Sequence, residues 1–311
     1  MRFVLVGNFG DSNIGDEALR NYFVTEFRSI DWRIVSARPK SSIELPRLPL
    51  GVRSFFGSWW KPVWAIARSR GIVYGGGTLF TDIESISACC MWASYAFVAW
   101  VFWKPIFLTF QGVGPFNTRL GEFITKAVCR RACFISVRDE ASLARVRAWN
   151  PKVVPVLTFD PAFAFFAKHS RIQGHRSALV IVPRANSSEE FFSLVSVKMK
   201  DHWDVVRIVL MQPTLKEKAV AHRLMSIVHK AEVIECQTVD DVLSEVSRAA
   251  LVVTQRYHGA LAALAMGVPV EIVPLVEGDK LWGLRNNLLP REELLSRLRV
   301  TSEQLARIFL E

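Results

Sequence analysis

Short apolar runs recur along this chain, each followed by a polar turn and then by a longer amphipathic stretch. In the first half the runs are Phe3–Val6, Trp32–Ser36, Gly71–Tyr74, Ile106–Phe110, Cys133–Val137 and Val153–Leu157. In the second half they are Ala178–Val182, Val205–Met211, Ala231–Ile234, Leu251–Thr254 and Val270–Val273. Such lengths suit strands, and their nearly continuous apolar character suits strands covered on both faces, as in a parallel sheet. Between them the spacing predicts helices over Leu120–Arg131, Glu140–Trp149, Ser188–Lys200, Leu215–His229, Val239–Ala249 and Ala260–Met266, and an amphipathic helix over Arg291–Glu311. Asp139 is placed to cap the helix that begins at Glu140, and Gly267 to end the helix from Ala260 in a left-handed turn.

This alternation predicts the α/β class: two Rossmann-like domains whose parallel sheets face a cleft. The apolar pattern breaks at residues 167–177, AKHSRIQGHRS, which sets a boundary between a first domain over 1–168 and a second over 175–311. The C-terminal helix is expected to pack back on the first domain.

Ligands in open sheets of this class bind outside the carboxyl ends of the strands, so the turns there are where chemistry is expected. After Leu251–Thr254 the chain reads Gln255-Arg256-Tyr257-His258-Gly259. Arg256 and His258 are two residues apart, so an extended loop points both to one side. Gly259 admits close backbone approach, and the helix amide groups behind it favour an anion. The first strand is followed by GNFGDSNIGDEA, residues 7–18, longer and more polar than a simple turn needs. Its Asn8, Asp11, Asn13 and Asp16 are candidate site-lining residues, and either Asn13 or Asp16 can cap the next helix. The spacing is not the dinucleotide fingerprint, and no acidic residue closes Trp32–Ser36. Three consecutive glycines ahead of Thr78 signal a close approach to the backbone, which makes Gly76 and Gly77 further site candidates, with Gln111 at the next strand end. Arg138 also projects from a strand end, where an anion contact and a structural salt bridge are both open. Asp160 and Arg184 follow strands in the same way.

Two segments raise the question of a membrane. Residues 53–64, RSFFGSWWKPVW, mix aromatic and basic side chains and suit either a membrane face or a cover for the core. Ala88–Trp103 is the most apolar stretch, but sixteen residues are short for a membrane span. A buried helix under the sheet is expected, with an interfacial helix as the alternative.

Composition narrows the partners. At 311 residues, half of them hydrophobic, the chain can build two cores of ordinary size. The net charge of +10 calls for an anionic partner: a phosphorylated substrate, an anionic lipid or a nucleic acid. The basic residues are scattered and form no nucleic-acid motif, which sets the last aside. Five cysteines without a paired framework indicate a reducing compartment. No His or Cys cluster accompanies Cys129 and Cys133, so no metal site is expected. The chain enters a strand at Phe3 without a signal peptide, so a cytoplasmic location is expected, with peripheral contact on the anionic inner face of the cytoplasmic membrane left open.

The pieces GNFGDSNIGDEA, YGGGTLFTD, QGVGP, SVRDEAS, FDPAF and RYHGALAALAMGVP, in this order and with Lys280 after them, resemble the polysaccharide pyruvyl transferase family. The resemblance extends over roughly residues 3–280 and rests on the order of the pieces together with the RYHG loop. It implies a two-domain enzyme of the GT-B type. Such an enzyme moves an enolpyruvyl or pyruvyl group from phosphoenolpyruvate to a sugar of a cell-surface polysaccharide or its lipid-linked precursor, often leaving a pyruvate ketal. The co-substrate is phosphoenolpyruvate and no cofactor is implied. On this resemblance Arg256, His258 and Gly259 fall in the donor loop of the second domain. Arg138, Arg184 and Lys280 are further implied donor contacts, and the first domain is the acceptor side, with Asn8, Asp11, Asn13, Asp16, Gly76, Gly77 and Gln111 as implied acceptor contacts.

The chemistry suits these residue types. Phosphoenolpyruvate carries about three negative charges near neutral pH, and arginine forks match both carboxylate and phosphate. A proton must reach the methylene carbon; His258, of a residue type that ordinarily titrates near working pH, is the candidate to supply it, with binding and neutralising the leaving phosphate as its alternative role. Asp16 or Asp160 is the expected base for the acceptor hydroxyl. Two other classes compete. A GT-B glycosyltransferase using a nucleotide sugar would suit the two-sheet plan, but no pair of glutamates is placed for a ribose and a leaving diphosphate. A non-catalytic glycan- or membrane-binding subunit would not need Arg256 and His258 intact.

Overall fold

The apolar runs become parallel strands in the computed structural model, which describes residues 1–11, 13–49, 57–83, 85–169, 176–228, 230–277, 279–286 and 289–310. The chain divides into two units. Met1–Asp11, Leu19–Pro161 and Leu294–Glu311 make the first, and Ser12–Ala18 and Ala162–Glu293 the second. Residues 170–175 of the expected boundary lie outside the described residues.

In the first unit, the described strands are β1 (Arg2–Phe9), β2 (Asp31–Ser36), β3 (Glu44–Pro46), β4 (Ile72–Phe80), β5 (Ile106–Val113), β6 (Phe134–Val137) and β7 (Val156–Leu157). They form one sheet in the order β3-β2-β1-β4-β5-β6-β7, every pairing parallel. The order reverses between β1 and β4, where Val4 pairs with Ile72 and Val6 with Tyr74. One face carries an aromatic cluster. Phe3, Trp32 and Phe107 meet Phe23 and Phe27 of α1 (Ile14–Glu26) and Phe309 of the C-terminal helix α12 (Arg291–Leu310). The ring of Phe309 lies 5.0 Å from Phe3, 5.3 Å from Phe27 and 5.7 Å from Phe107. Pairs of this kind add about 0.5–1.5 kcal/mol each beyond the burial itself.

The other face is covered by α2 (Trp60–Ala67), α3 (Ile86–Val101) and α4 (Arg119–Arg131). Buried hydroxyls here are satisfied: Tyr74 donates to the Trp92 carbonyl at 2.7 Å, and Tyr95 accepts from the Leu48 amide at 2.7 Å. The expectation of a wholly buried helix over Ala88–Trp103 does not hold. Trp92, Tyr95, Ala96 and Ala99 face the core, whereas Phe97, Trp100 and Val101 face outward and Trp103 beyond the helix is 91% exposed. A single sheet covers only one side of a helix that lies on it. Of the aromatic–basic segment 53–64, residues 53–56 lie outside the described residues; Trp60 and Trp64 on α2 are exposed, and Pro62 and Ile66 are buried.

Three strand ends of the first unit run further than hydrophobicity foretells, β5 among them, which continues through Gln111 and Gly112 to Val113. β1 takes in Gly7, Asn8 and Phe9, and Phe9 is buried and pairs with Ser36. β4 continues through the glycine triplet, with Gly76 and Gly77 at φ +86° and +82° and an irregular register before Phe80. The glycines answer to packing: a β-carbon on Gly75 would stand 2.9 Å from Leu5 Cδ1 and 3.1 Å from Phe9 Cζ. Helix α5 (Glu140–Ala148) starts where expected, with the Asp139 carboxylate accepting from the Ser142 amide at 2.7 Å.

The second unit contains β8 (Ala178–Val182), β9 (Val205–Leu210), β10 (Ala231–Glu235), β11 (Ala249–Thr254) and β12 (Val270–Ile272). They form a parallel sheet in the order β10-β9-β8-β11-β12. The order reverses between β8 and β11, where Val180 pairs with Val252. Helices α6 (Pro161–His169), α7 (Glu189–Lys198), α8 (Leu215–Ile227), α9 (Val239–Ser247), α10 (Tyr257–Ala265) and α11 (Lys280–Asn286) accompany it. As expected, α10 ends at Gly267, whose φ is +61°, with the Val268 amide donating back to Ala263 at 2.9 Å. Among the described residues no helix is long and apolar enough to cross a membrane. None of the five cysteines is paired.

Candidate functional site

The reversal between β8 and β11 places two strand ends side by side, and Gln255 ties them together. Its Oε1 accepts from the Ser188 amide at 2.9 Å and its Nε2 donates to Ser188 Oγ at 2.9 Å, while its own amide donates to Val182 at 3.1 Å. Arg184 leaves β8 and Arg256 leaves β11 at this junction. Arg256 is still extended, at φ −102° and ψ 127°, and α10 begins at Tyr257. The helix therefore starts earlier than the sequence predicts. His258 and Gly259 sit within its first turn and are not loop residues.

Gly259 also has a different cause from the one expected. A β-carbon there would come 2.9 Å from Thr254 Oγ1 and 3.1 Å from Val182 Cγ1. The glycine lets α10 lie close on the sheet, as small residues do where a helix starts over a strand end. Thr254 holds the turn, its hydroxyl accepting from the Arg256 amide at 3.0 Å.

The Arg256 fork is engaged. Nε donates to Glu217 Oε1 at 2.9 Å, and Nη2 donates to the same oxygen and to Gln212 Oε1 at 3.2 Å. Glu217 is fully buried, and its Oε2 accepts from the Gln212 amide at 2.8 Å. Burial pushes the Glu217 carboxyl above its ordinary range, and the positive charges of Arg256 and Arg184 pull the other way. Glu217 and Gln212 were not foreseen. Glu217 is the third residue of a helix capped by Thr214, a place where glutamate ordinarily serves only the cap. Lys280 is exposed and stands 5.1 Å from the centre of the Tyr257 ring.

The first turn of α1 groups with this unit. Asn13, not Asp16, caps the helix: its Oδ1 accepts from the Gly15 amide at 3.2 Å and its Nδ2 donates to Asp16 Oδ2 at 2.8 Å. The Ile14 amide donates to Met211 at the end of β9. Gly15 lies under the imidazole of His258 so closely that no side chain fits between them. Arg184, Arg256, His258 and the Asn13–Asp16 turn thus belong to one cluster at the carboxyl ends of β8, β9 and β11. Among the described residues, no group of three His, Cys, Asp or Glu side chains could hold a metal ion.

In the first unit Arg138 and Asp160 meet. Arg138 Nη1 donates to Asp160 Oδ2 at 2.5 Å and Nη2 to Thr78 Oγ1 at 2.5 Å, with side chains 2% and 0% exposed for the ion pair. Of the two readings open for Arg138, the structure shows the salt bridge. Gly112 leaves room for it, since a β-carbon there would stand 3.1 Å from Nε. Asp160 is thereby removed from the surface, which argues against its assignment as a base. Gln111 is likewise fully buried, its Nε2 donating to the Thr109 carbonyl at 2.9 Å and to the Tyr74 carbonyl at 3.2 Å. It braces the sheet and offers no amide hydrogen to an acceptor. Asn8 is half-buried and accepts from Arg47 Nη2 at 2.8 Å, and Asp11 is exposed.

Known proteins fix the family and the fold. The family model for polysaccharide pyruvyl transferase matches residues 13–271. No curated protein matches the chain. Among solved structures, UDP-GlcNAc 2-epimerase from Methanocaldococcus jannaschii is similar at a TM-score of 0.60 and 11% identity, over 100% of this chain and 99% of that one. The Neisseria meningitidis UDP-GlcNAc 2-epimerase bound to UDP-GlcNAc is similar at 0.57 and 12%, over 99% and 91%. Anabaena Alr3699/HepE in complex with UDP and glucose is similar at 0.55 and 9%, over 98% and 94%. At such identities the likeness shows the fold alone: α/β with two parallel sheets, GT-B-like. With its family model matched over most of its length, the chain belongs to the polysaccharide pyruvyl transferase family.

Proposed function

We propose that this member of the family transfers the pyruvyl group of phosphoenolpyruvate to a sugar diol of a cell-surface polysaccharide or its lipid-linked precursor, forming a pyruvate ketal and releasing phosphate. The observation that supports this most is the cluster at the β8–β11 junction. Two guanidinium groups, one imidazole and the first turn of α10 gather there. Cations of that kind match a small donor with a carboxylate and a phosphate.

In this reading Arg256 and Arg184 hold the donor, with Lys280 as a further cation, and Glu217 keeps the Arg256 fork in place. His258 delivers a proton to the methylene carbon, which becomes the methyl group. A sugar hydroxyl adds to C2 while Asp16, beside Gly15, takes its proton. The C2–O bond to phosphate breaks with its electron pair, and a second hydroxyl adds to C2 and closes the ring. One diol hydrogen is thereby accounted for on the methyl carbon and the other on hydrogen phosphate. Asp160 is a positioning residue for Arg138. Asn8 and Asp11, at the end of β1, are assigned to the acceptor; Gly76 and Gly77 are buried within β4 and are not assigned to it.

The test is phosphate release and product mass with phosphoenolpyruvate and a panel of glycolipid acceptors, with UDP-sugars as the competing donors. Ketal mass and phosphate release are expected with phosphoenolpyruvate, and His258→Ala should lower turnover by about two to four orders of magnitude. Turnover of a UDP-sugar in its place would overturn the reading.

A further inference from the structure

The helical layer on the first sheet is apolar where it meets water. α2, α3 and α4 each run back along the sheet to feed the parallel strands β4, β5 and β6, so their C-terminal turns lie at the same edge. On the outward side Trp60, Trp64, Phe97, Trp100, Phe102 and Trp103 are all exposed. So many exposed aromatic rings on one helical layer, with Phe97 and Trp100 5.8 Å apart, mark an interaction site.

Trp103 adds an independent sign. The Lys104 amide donates back to Ala99 at 2.8 Å and closes α3, and this stop puts Trp103 at φ +54°. Glycine is the usual residue in that place, and a side chain there costs about 1 kcal/mol. The chain thus carries backbone strain and leaves a 91% exposed indole in water at the same position. Neither helps the free fold.

The charges on these helices and their flanks are predominantly positive. Lys61, Arg68, Arg70, Lys104, Arg119, Lys126, Arg130 and Arg131 stand against three acids: Asp82 and Glu84 ahead of α3, and Glu122, whose carboxylate accepts from Trp149 Nε1 at 3.1 Å. Several lie level with the rings: Arg131 is 5.1 Å from the Trp100 centroid, and Arg68 is 5.0 Å from Trp64. Exposed tryptophans interleaved with cations fit the headgroup layer of an anionic bilayer, the rings among the glycerol backbones and the cations on lipid phosphates. A second copy of this face would set like charge against like.

We propose that the outer face of α2, α3 and α4 docks on an anionic membrane surface without crossing it. The proposal is independent of the reaction assigned above. It is tested by floating the full chain with vesicles of phosphatidylcholine, with and without phosphatidylglycerol. Binding is expected on the phosphatidylglycerol vesicles alone, weakened by salt. Arg130→Glu with Arg131→Glu should lower partitioning by at least about tenfold. Trp103→Gly should also lower it while melting at the same temperature or higher, because glycine relieves the left-handed turn; that split separates docking from folding. The proposal fails if the chain stays off phosphatidylglycerol vesicles, or if both variants float as the parent does. It also fails if light scattering shows a dimer that Trp103→Gly dissolves, which would give the face to a second copy.

Discussion

The imidazole of His258 rests on the backbone of Gly15. A β-carbon at position 15 would fall within the van der Waals radii of Nδ1, Cγ and Cε1. Gly15→Ala is therefore expected to turn the ring out of its place. Alanine favours a helix over glycine by about 1 kcal/mol, which offsets part of the clash, so melting should change little. Turnover should fall by about tenfold or more, since a misplaced acid–base group loses much of its effect. Steady-state kinetics beside a thermal melt checks this; normal turnover would show that the position of His258 is immaterial.

Arg256 reaches Glu217 and Gln212 through two of its nitrogens. A lysine there has one ammonium and cannot reproduce that fork. Arg256→Lys should weaken phosphoenolpyruvate binding by roughly 10–100-fold, the equivalent of one or two charge-assisted hydrogen bonds. Calorimetric titration of the donor gives the number directly, and an unchanged affinity would remove Arg256 from the donor site.

Asp160 faces Arg138 in the interior of the first unit, with no exposure of its own. Asp160→Asn should destabilise the protein by about 2–4 kcal/mol, because the buried guanidinium loses its hydrogen-bonded countercharge and keeps only the half-exposed Asp139 carboxylate at 4.0 Å. Denaturant unfolding measures this. A loss below about 1 kcal/mol would mean that Thr78 and Asp139 suffice to hold Arg138.

Asp82 provides a test by pH. It is buried, and its carboxylate accepts from the Asn117 amide at 2.6 Å, from the Thr118 amide at 2.8 Å and from the Thr118 hydroxyl. Burial alone would raise its pKa, but the Thr118 and Asn117 hydrogen bonds outweigh it and hold the group below its ordinary value of 3.8. The stability it confers is present in full above that value and fades as pH falls through the lowered one. Asp82→Asn should cost about 1.5–3 kcal/mol near neutral pH. Unfolding curves of the two proteins should converge on acidification below 3.8.

Periodicity alone located the buried strands, because a parallel sheet covered on both faces leaves continuous apolar runs at Phe3–Val6 or Ala178–Val182. It misjudged strand ends wherever glycine carried the extended chain onward, as at Gly75–Gly77, since glycine has no side chain to register burial. The RYHG loop was legible as a strand-end feature. Its start as a helix at Tyr257 was not, because neither arginine nor tyrosine is a capping signal. Arg138 and Asp160 were found one by one. That they pair follows from the adjacency of the β6 and β7 ends, a matter of sheet order rather than of local sequence. Glu217 was hidden because one residue type serves both as a helix-start acid and as a clamp on Arg256.

The place of Phe309 among Phe3, Phe27 and Phe107 bears on how this chain is made. A ribosome delivers Ala162–Glu293 before it delivers the helix that carries that ring. At roughly 5–20 residues per second, the interval is on the order of ten seconds. Throughout it the nascent first unit presents an unfilled greasy slot, which is the moment at which a chaperone has most to grasp.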